Sequence, residues 1–198
     1  MQHWQATGKI GKTLLVTLIV IVVVVGIALA IIWSGYNKAI RFDEAVQARW
    51  AQVETVLARR FDLIPNLVET VKGYASHEED LFKHVADART RYFQADSIGE
   101  KAQAASQVQG ALSRLLLLRE AYPELKANQN FLKLQDQLEG SENRIAVERK
   151  RYNDAVRTLN TYARSLFGRA FCAMAGVEQT EYFEATEQQT QVPSVSFE

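Results

Sequence analysis

Residues 46–74 read VQARWAQVETVLARRFDLIPNLVETVKGY. Val46, Trp50, Val53, Leu57, Ile64, Leu67, Val71 and Tyr74 fall on alternating steps of four and three, with Arg60 in the one slot that is not apolar. That is an a/d heptad stripe, the mark of a helix that buries one seam. The register runs straight through Pro65, although a proline inside a helix removes a hydrogen bond and crowds the preceding turn. An unbroken register predicts one long helix, kinked at Ile64-Pro65, rather than two helices.

Upstream, Thr13–Trp33 reads TLLVTLIVIVVVVGIALAIIW, and no charge falls between Lys12 and Lys38. A helix of this length spans roughly 30 Å, the thickness of a hydrocarbon core. Val and Ile are poor helix formers in water, but lipid leaves the backbone no other way to satisfy itself. Trp33 and Tyr36 stand where an interfacial aromatic belt belongs. Ala28-Leu29-Ala30 has the form of a signal-peptide cleavage site. The apolar run is too long for such a peptide and continues past that site, so a retained transmembrane helix over 13–33 is the expectation, with a short tail at 1–12. The flanking charges nearly balance. Lys9, Lys12 and the amino terminus against Lys38 and Arg41 lean to a cytoplasmic N-terminus and an exported body.

The chain has 198 residues, 23 basic and 23 acidic. Neutrality argues against nucleic acid as a partner. A hydrophobic fraction of 47% is enough for a core. The single cysteine, Cys172, excludes an internal disulfide and a cysteine-based zinc site. The balance hides a gradient: residues 177–198 hold five glutamates and no basic side chain.

Downstream the apolar period stays helical. Ser76-His77-Glu78-Glu79 has the form of a capping box opening a second helix with the face Leu81, Phe82, Val85, Ala88 and Tyr92. Ser97-Ile98-Gly99-Glu100 repeats that form before a third helix marked by Val108, Ala111, Leu112, Leu115, Leu118 and Tyr122. Tyr122-Pro123 ends it, because the residue before proline avoids the α region. In the fourth segment Phe131, Leu138, Ile145, Tyr152, Leu159 and Leu166 recur every seven residues. Four residues on runs a companion row of Gln135, Glu142, Arg149, Val156 and Ala163. Its polar half reads either as a solvated flank or as a seam that fixes register or receives a partner helix. Arg144, Glu148, Arg151 and Asp154 form a surface charge ladder.

The sequence thus predicts an all-α chain: an N-terminal transmembrane helix, then an antiparallel up-and-down bundle of four long helices over 36–167. The lengths carry a further expectation. Tyr36–Tyr74 and Pro123–Phe167 would extend roughly 58 and 67 Å, and the two shorter middle helices nearly cancel. The end of the fourth helix then returns to the membrane. The apolar stretch 166–176, with Leu166, Phe167, Phe171 and Met174, is expected to touch the bilayer interface or a neighbouring subunit, with plain bundle capping as the alternative.

No chemistry stands out. Gly11-Lys12-Thr13 lacks the upstream glycine of a phosphate loop, since residue 6 is Ala6. His77 and His84 are two helical turns apart and do not match H-E-x-x-H. No nucleophile elbow or dinucleotide fingerprint occurs. Cys172 lies in an apolar run and reads as a small buried hydrophobe. Arg149-Lys150-Arg151 reads as part of a solvated face. No metal, cofactor or catalytic residue is expected.

Residues 59–75, RRFDLIPNLVETVKGYA, closely resemble the signature of the LemA family of bacterial membrane proteins. So do 122–132, YPELKANQNFL, and 138–146, LEGSENRIA, continuing to 151–156, RYNDAV. Tyr182-Phe183-Glu184 and Pro193-Ser194-Val195-Ser196-Phe197 are similar to the family's tail. The resemblance implies a single-pass anchor followed by an antiparallel helical bundle, with no established enzymatic activity or cofactor. Some members lie beside membrane metalloproteases, and one branch is involved in building bacterial membrane organelles. It singles out Arg59, Arg60, Asp62, Pro65, Asn66, Tyr122, Pro123, Asn128, Asn130, Gln135, Glu142, Asn143, Arg144, Arg149, Tyr152 and Asn153 as structural or partner positions. An internal polar network of Arg60, Asp62 and Asn66, and cross-helix bonds from Asn128, Asn143, Asn153 and Asn160, are the structural expectation; a partner site is the other. The family often has Phe-Pro after the fourth helix. Here Leu166-Phe167-Gly168 stands instead, so that helix is free to run on into 168–176. The expected function is a membrane-anchored, non-enzymatic scaffold that associates with lipid and with copies of itself, or else an adaptor of a membrane protease.

Overall fold

The computed structural model describes residues 4–183, with side chains from Leu14 onward. The expectations for the side chains of Lys9 and Lys12 and for the acidic tail from Glu184 on lie outside the described residues. Within them every regular element is helical: α1 Trp4–Lys72, α2 Glu79–Gln94, α3 Ile98–Ala121, α4 Pro123–Lys126, α5 Gln129–Arg164 and α6 Leu166–Ala175. The chain is all-α, and α1 is continuous through Pro65. Pro65 lies on the exposed side of the helix. The described residues form two compact units, one of 4–44 with 159–179 and one of 45–158 with 180–183.

In the second unit the heptad stripe is the core. Val46, Trp50, Val53, Leu57, Arg60, Ile64, Leu67 and Val71 are all buried, and Tyr74 at the end is half-exposed. Three pairs set the direction of α5 against α1: Trp50 meets Tyr152, Arg60 meets Glu142, and Tyr74 meets Asn128. Ten residues forward on α1 match ten back on α5, and the next fourteen match fourteen, so the helices are antiparallel and in one register. Phe61 against Tyr92 and Lys72 over Phe82 reverse α2 relative to α1. Arg91 bonded to Gln107 turns α3 back again. The result is an up-and-down bundle.

The helix ends show which local signals win. Ser97 caps α3 as expected: its hydroxyl accepts from the Glu100 N–H at 3.1 Å, while the Glu100 carboxylate accepts from the Ser97 N–H at 3.2 Å. Those backbone bonds hold the Glu100 carboxyl below its ordinary pKa. The matching box at Ser76 does not form. The turn after α1 first places Ala75 in the core, and α2 begins only at Glu79, with Glu78 at the cap position and no side-chain bond. The fourth segment also differs from the expected single helix. A short α4 follows Pro123, and Asn128 then caps α5, its Oδ1 accepting from the Phe131 N–H at 3.0 Å.

In the first unit, α5 does not run on. Ser165 adopts an extended backbone and its hydroxyl accepts from the Gly168 N–H at 3.1 Å, opening α6. A Cβ on Gly168 would collide with the Tyr162 carbonyl, so this corner needs glycine. The seven-residue row accordingly ends at Leu159; Leu166 is 85% exposed instead of in the core. Gly176 closes α6 with a left-handed φ of 68°, and the Val177 N–H returns to the Cys172 carbonyl. Ala39, Ala163 and Cys172 form the unit's small core, with Tyr162, Ala175 and Val177 against it. Burial pushes the Cys172 thiol up, as for a packed hydrophobe rather than a nucleophile.

Candidate functional site

Part of the family motif meets along α5 within the second unit: Gln135, Glu142, Arg149, Tyr152 and Asn153 each engage another segment of the chain. Arg60, buried to 7%, reaches from the core slot of α1 to the carboxylate of Glu142. Burial lowers the Arg60 pKa, and the Glu142 charge and hydrogen bond oppose that fall. Arg60 Nε is buried without a hydrogen-bond partner. The expected network around Arg60 is not the one that forms. Asp62 and Asn66 both lie on the exposed side of α1, because two and six residues from a seam position point away from it.

About three turns further along α5 lies a clamp whose pairing the sequence reading did not find. Asn153 Nδ2 donates to the Phe183 carbonyl at 3.0 Å, and its Oδ1 accepts from the Phe183 N–H at 2.9 Å. One amide side chain thereby satisfies both polar groups of one backbone unit, as a neighbouring strand would. Tyr152 Oη donates to the Glu181 carbonyl at 2.8 Å. The Phe183 ring is buried, edge-on to Trp50 at 6.0 Å, with the Arg149 guanidinium over it at 6.0 Å. Trp50 also packs edge-on against Tyr152 at 5.3 Å. Burial, and then the Glu181 charge, push the Tyr152 hydroxyl up to about 12, so it remains a donor at any ordinary pH. The family resemblance had marked Arg149, Tyr152 and Asn153 on one side and Tyr182-Phe183-Glu184 on the other, but not their pairing; the partner of Asn153 lies 30 residues further on.

The polar seam is thus engaged inside the chain. Gln135 accepts from Arg119 at 3.0 Å, Glu142 holds Arg60, and Arg149 covers Phe183. Asn128 donates to Tyr74 Oη at 2.8 Å, the expected cross-helix bond. Asn143, Arg144, Asn130, Pro123 and Arg59 are exposed, and Tyr122 is half-buried. Asn143 and Arg144 therefore sit on the solvated side of α5, outside the cross-helix network expected of Asn143. One rung of the surface ladder forms, Glu148–Arg151 at 2.6 Å; Asp154 pairs instead with Arg157, outside the expected row, at 3.2 Å.

A shallow groove of about 900 Å³ runs between the end of α1 and α2, lined by Ile64, Pro65, Val68, Phe82, Lys83 and Arg89 among others. It brings together no nucleophile–base pair. Among the described residues no group of His, Cys, Asp and Glu is placed to hold a metal ion. What the arrangement can do is hold peptide: a packed aromatic pocket and an amide clamp, occupied by the chain's own residues 181–183.

A membrane-associated helical protein is the class that the exposed apolar helix and the antiparallel bundle define. The family model "LemA family" matches residues 49–197, and the chain belongs to that family. It is similar to the Magnetosome proteins MamQ 1 and MamQ 2 of Paramagnetospirillum magneticum, each 27% identical over 207 aligned residues, covering 91% of this chain and 76% of theirs. It is also similar to Magnetosome protein MamQ of Magnetospirillum gryphiswaldense, 25% identical over 174 residues, covering 75% of this chain and 64% of the relative.

Proposed function

We propose that the chain is a membrane-anchored, non-enzymatic scaffold that assembles with copies of itself on the inner membrane of a bacterium, with its N-terminus in the cytoplasm. The observation that carries this reading is the exposure of the apolar side chains of residues 14–33, each at least 40% exposed where large, whereas the bundle's own apolar stripe is buried. Such a surface in water is untenable and needs lipid. The body offers length and rigidity: α5 alone is 36 residues, roughly 54 Å. The similarity to proteins named as magnetosome proteins supports an organising role. The test is the mass of the gently solubilised full-length protein by light scattering. A defined multiple of the 22.4 kDa chain is expected; a monomer at every concentration would overturn self-assembly.

A further inference from the structure

Helix α6 has two apolar faces. Gly168, Cys172 and half-buried Phe171 and Ala175 face the first unit's core. On the other side Leu166, Ala170 and Met174 follow one another at steps of four, with Phe167 beside them; Leu166 is 85% exposed, Phe167 72% and Met174 60%. Arg169, at the edge of that face, is the helix's single charge. A soluble protein seldom leaves so apolar a face bare.

The position of α6 says what covers it. The Phe171 ring lies directly on Gly35, where any Cβ would collide with it. Tyr162 Oη, from the last turns of α5, donates to the Gly35 carbonyl at 2.9 Å. Gly35 is two residues beyond Trp33, the last of the apolar run. At about 1.5 Å per residue, the midpoint of α6 is tied roughly 3 Å beyond the end of that run. No residue of so short a helix can lie more than about 8 Å from Phe171 along its axis. The headgroup zone on each side of the hydrocarbon is about 5–8 Å deep. Whatever its tilt, α6 stays within reach of that zone.

We propose that α6 is an interfacial helix whose Leu166–Ala170–Met174 face, with Phe167, inserts into the headgroup–acyl boundary of the bilayer that holds residues 14–33. Arg169 at the edge extends toward the phosphates, its stem along the apolar face. With a single basic side chain, insertion follows apolar area rather than anionic charge. The inference rests on the reading of residues 14–33 as a membrane span.

The test uses the full chain carrying Cys172→Ala, reconstituted in vesicles of mixed phosphatidylcholine and phosphatidylglycerol. A nitroxide is placed in turn at Leu166→Cys, Ala170→Cys and Met174→Cys, with Val23→Cys as the span reference and Lys150→Cys as the water reference. The ratio of collision rates with oxygen and with a water-soluble nickel chelate reports immersion. The ratio at 166, 170 and 174 is expected to exceed that at 150 several-fold and to approach that at 23. Three exposed positions guard against one label disturbing the helix. A ratio at the α6 sites equal to that at 150, with 23 still immersed, would overturn the α6 inference alone. Dipolar broadening at 174 that vanishes on dilution with unlabelled protein would give the face to a second copy instead. A water-like ratio at 23 would overturn the span and the inference together.

Discussion

Residues 14–33 and residues 46–71 belong to one helix, yet they are built for different solvents. In the first stretch apolar side chains occur at every angle, and all of them are exposed. In the second they keep to one stripe, and all of that stripe is buried. The chain is helical in both for different reasons. In the first, lipid offers the backbone no other partner; in the second, the seam is buried, with Trp50 against Tyr152 and Arg60 against Glu142 of α5. Periodicity, not hydrophobicity, separates a helix that will meet protein from one that will meet lipid.

The comparison breaks most sharply with paired truncations. Leu67→Ala, at a position with no exposed surface, should lower the unfolding free energy of the bundle by about 3 kcal/mol. Val20→Ala, 54% exposed, should leave it within about 0.5 kcal/mol. Chemical denaturation of the full chain in nanodiscs, followed by Trp50 fluorescence, measures both. Equal losses would mean that the two stretches share one core.

The polar slot in the stripe sharpens the comparison next. Glu142→Ala strands a buried guanidinium and should cost on the order of 2 kcal/mol, less than a fully buried pair because the Glu142 side chain is 41% exposed. Arg60→Leu leaves a carboxylate that water can reach and restores the stripe. It should be neutral or stabilising by up to about 1 kcal/mol. Melting temperatures of the two variants decide the ordering. A reversed order would mean that Arg60 has a role other than its pair with Glu142.

The smallest effect lies in the clamp. Asn153→Ala removes two hydrogen bonds to Phe183 and should cost about 1–2 kcal/mol, with protease access at residues 181–183 as the direct readout. Tyr152 adds a pH signature. Its folded pKa of about 12 lies above the ordinary 10.0, so the unfolded chain loses that proton first. Its contribution is complete below pH 10 and is lost as pH rises toward about 12. Tyr152→Phe should flatten stability against pH across that window; an unchanged slope would assign the alkaline loss elsewhere.

Much of the fold was legible because it rests on spacing. The stripe from Val46 to Val71, the second capping box at Ser97 and the break at Tyr122-Pro123 are local patterns, and each is realised. The errors came where a local pattern met a tertiary demand. Ser76 could not cap α2 because the turn first buries Ala75. Leu166 left its seven-residue row because Ser165 and Gly168 open a new helix. The candidate site was legible only in part. Arg60 was visible as a polar residue in a core slot, but Glu142 as its partner was not, since pairing between helices is not written in either one. The clamp on Phe183 was hidden for the same reason: Asn153 was expected to bond across helices, but nothing local to it names residue 183 as its partner.

The most direct measurement of the central claim, one helix in two solvents, is alkaline carbonate extraction of membranes holding the full-length protein. The chain should remain with the bilayer in carbonate and leave it only in detergent, as a spanning helix does. Release by carbonate would contradict the account, because residues 14–33 would then be covered by protein rather than lipid.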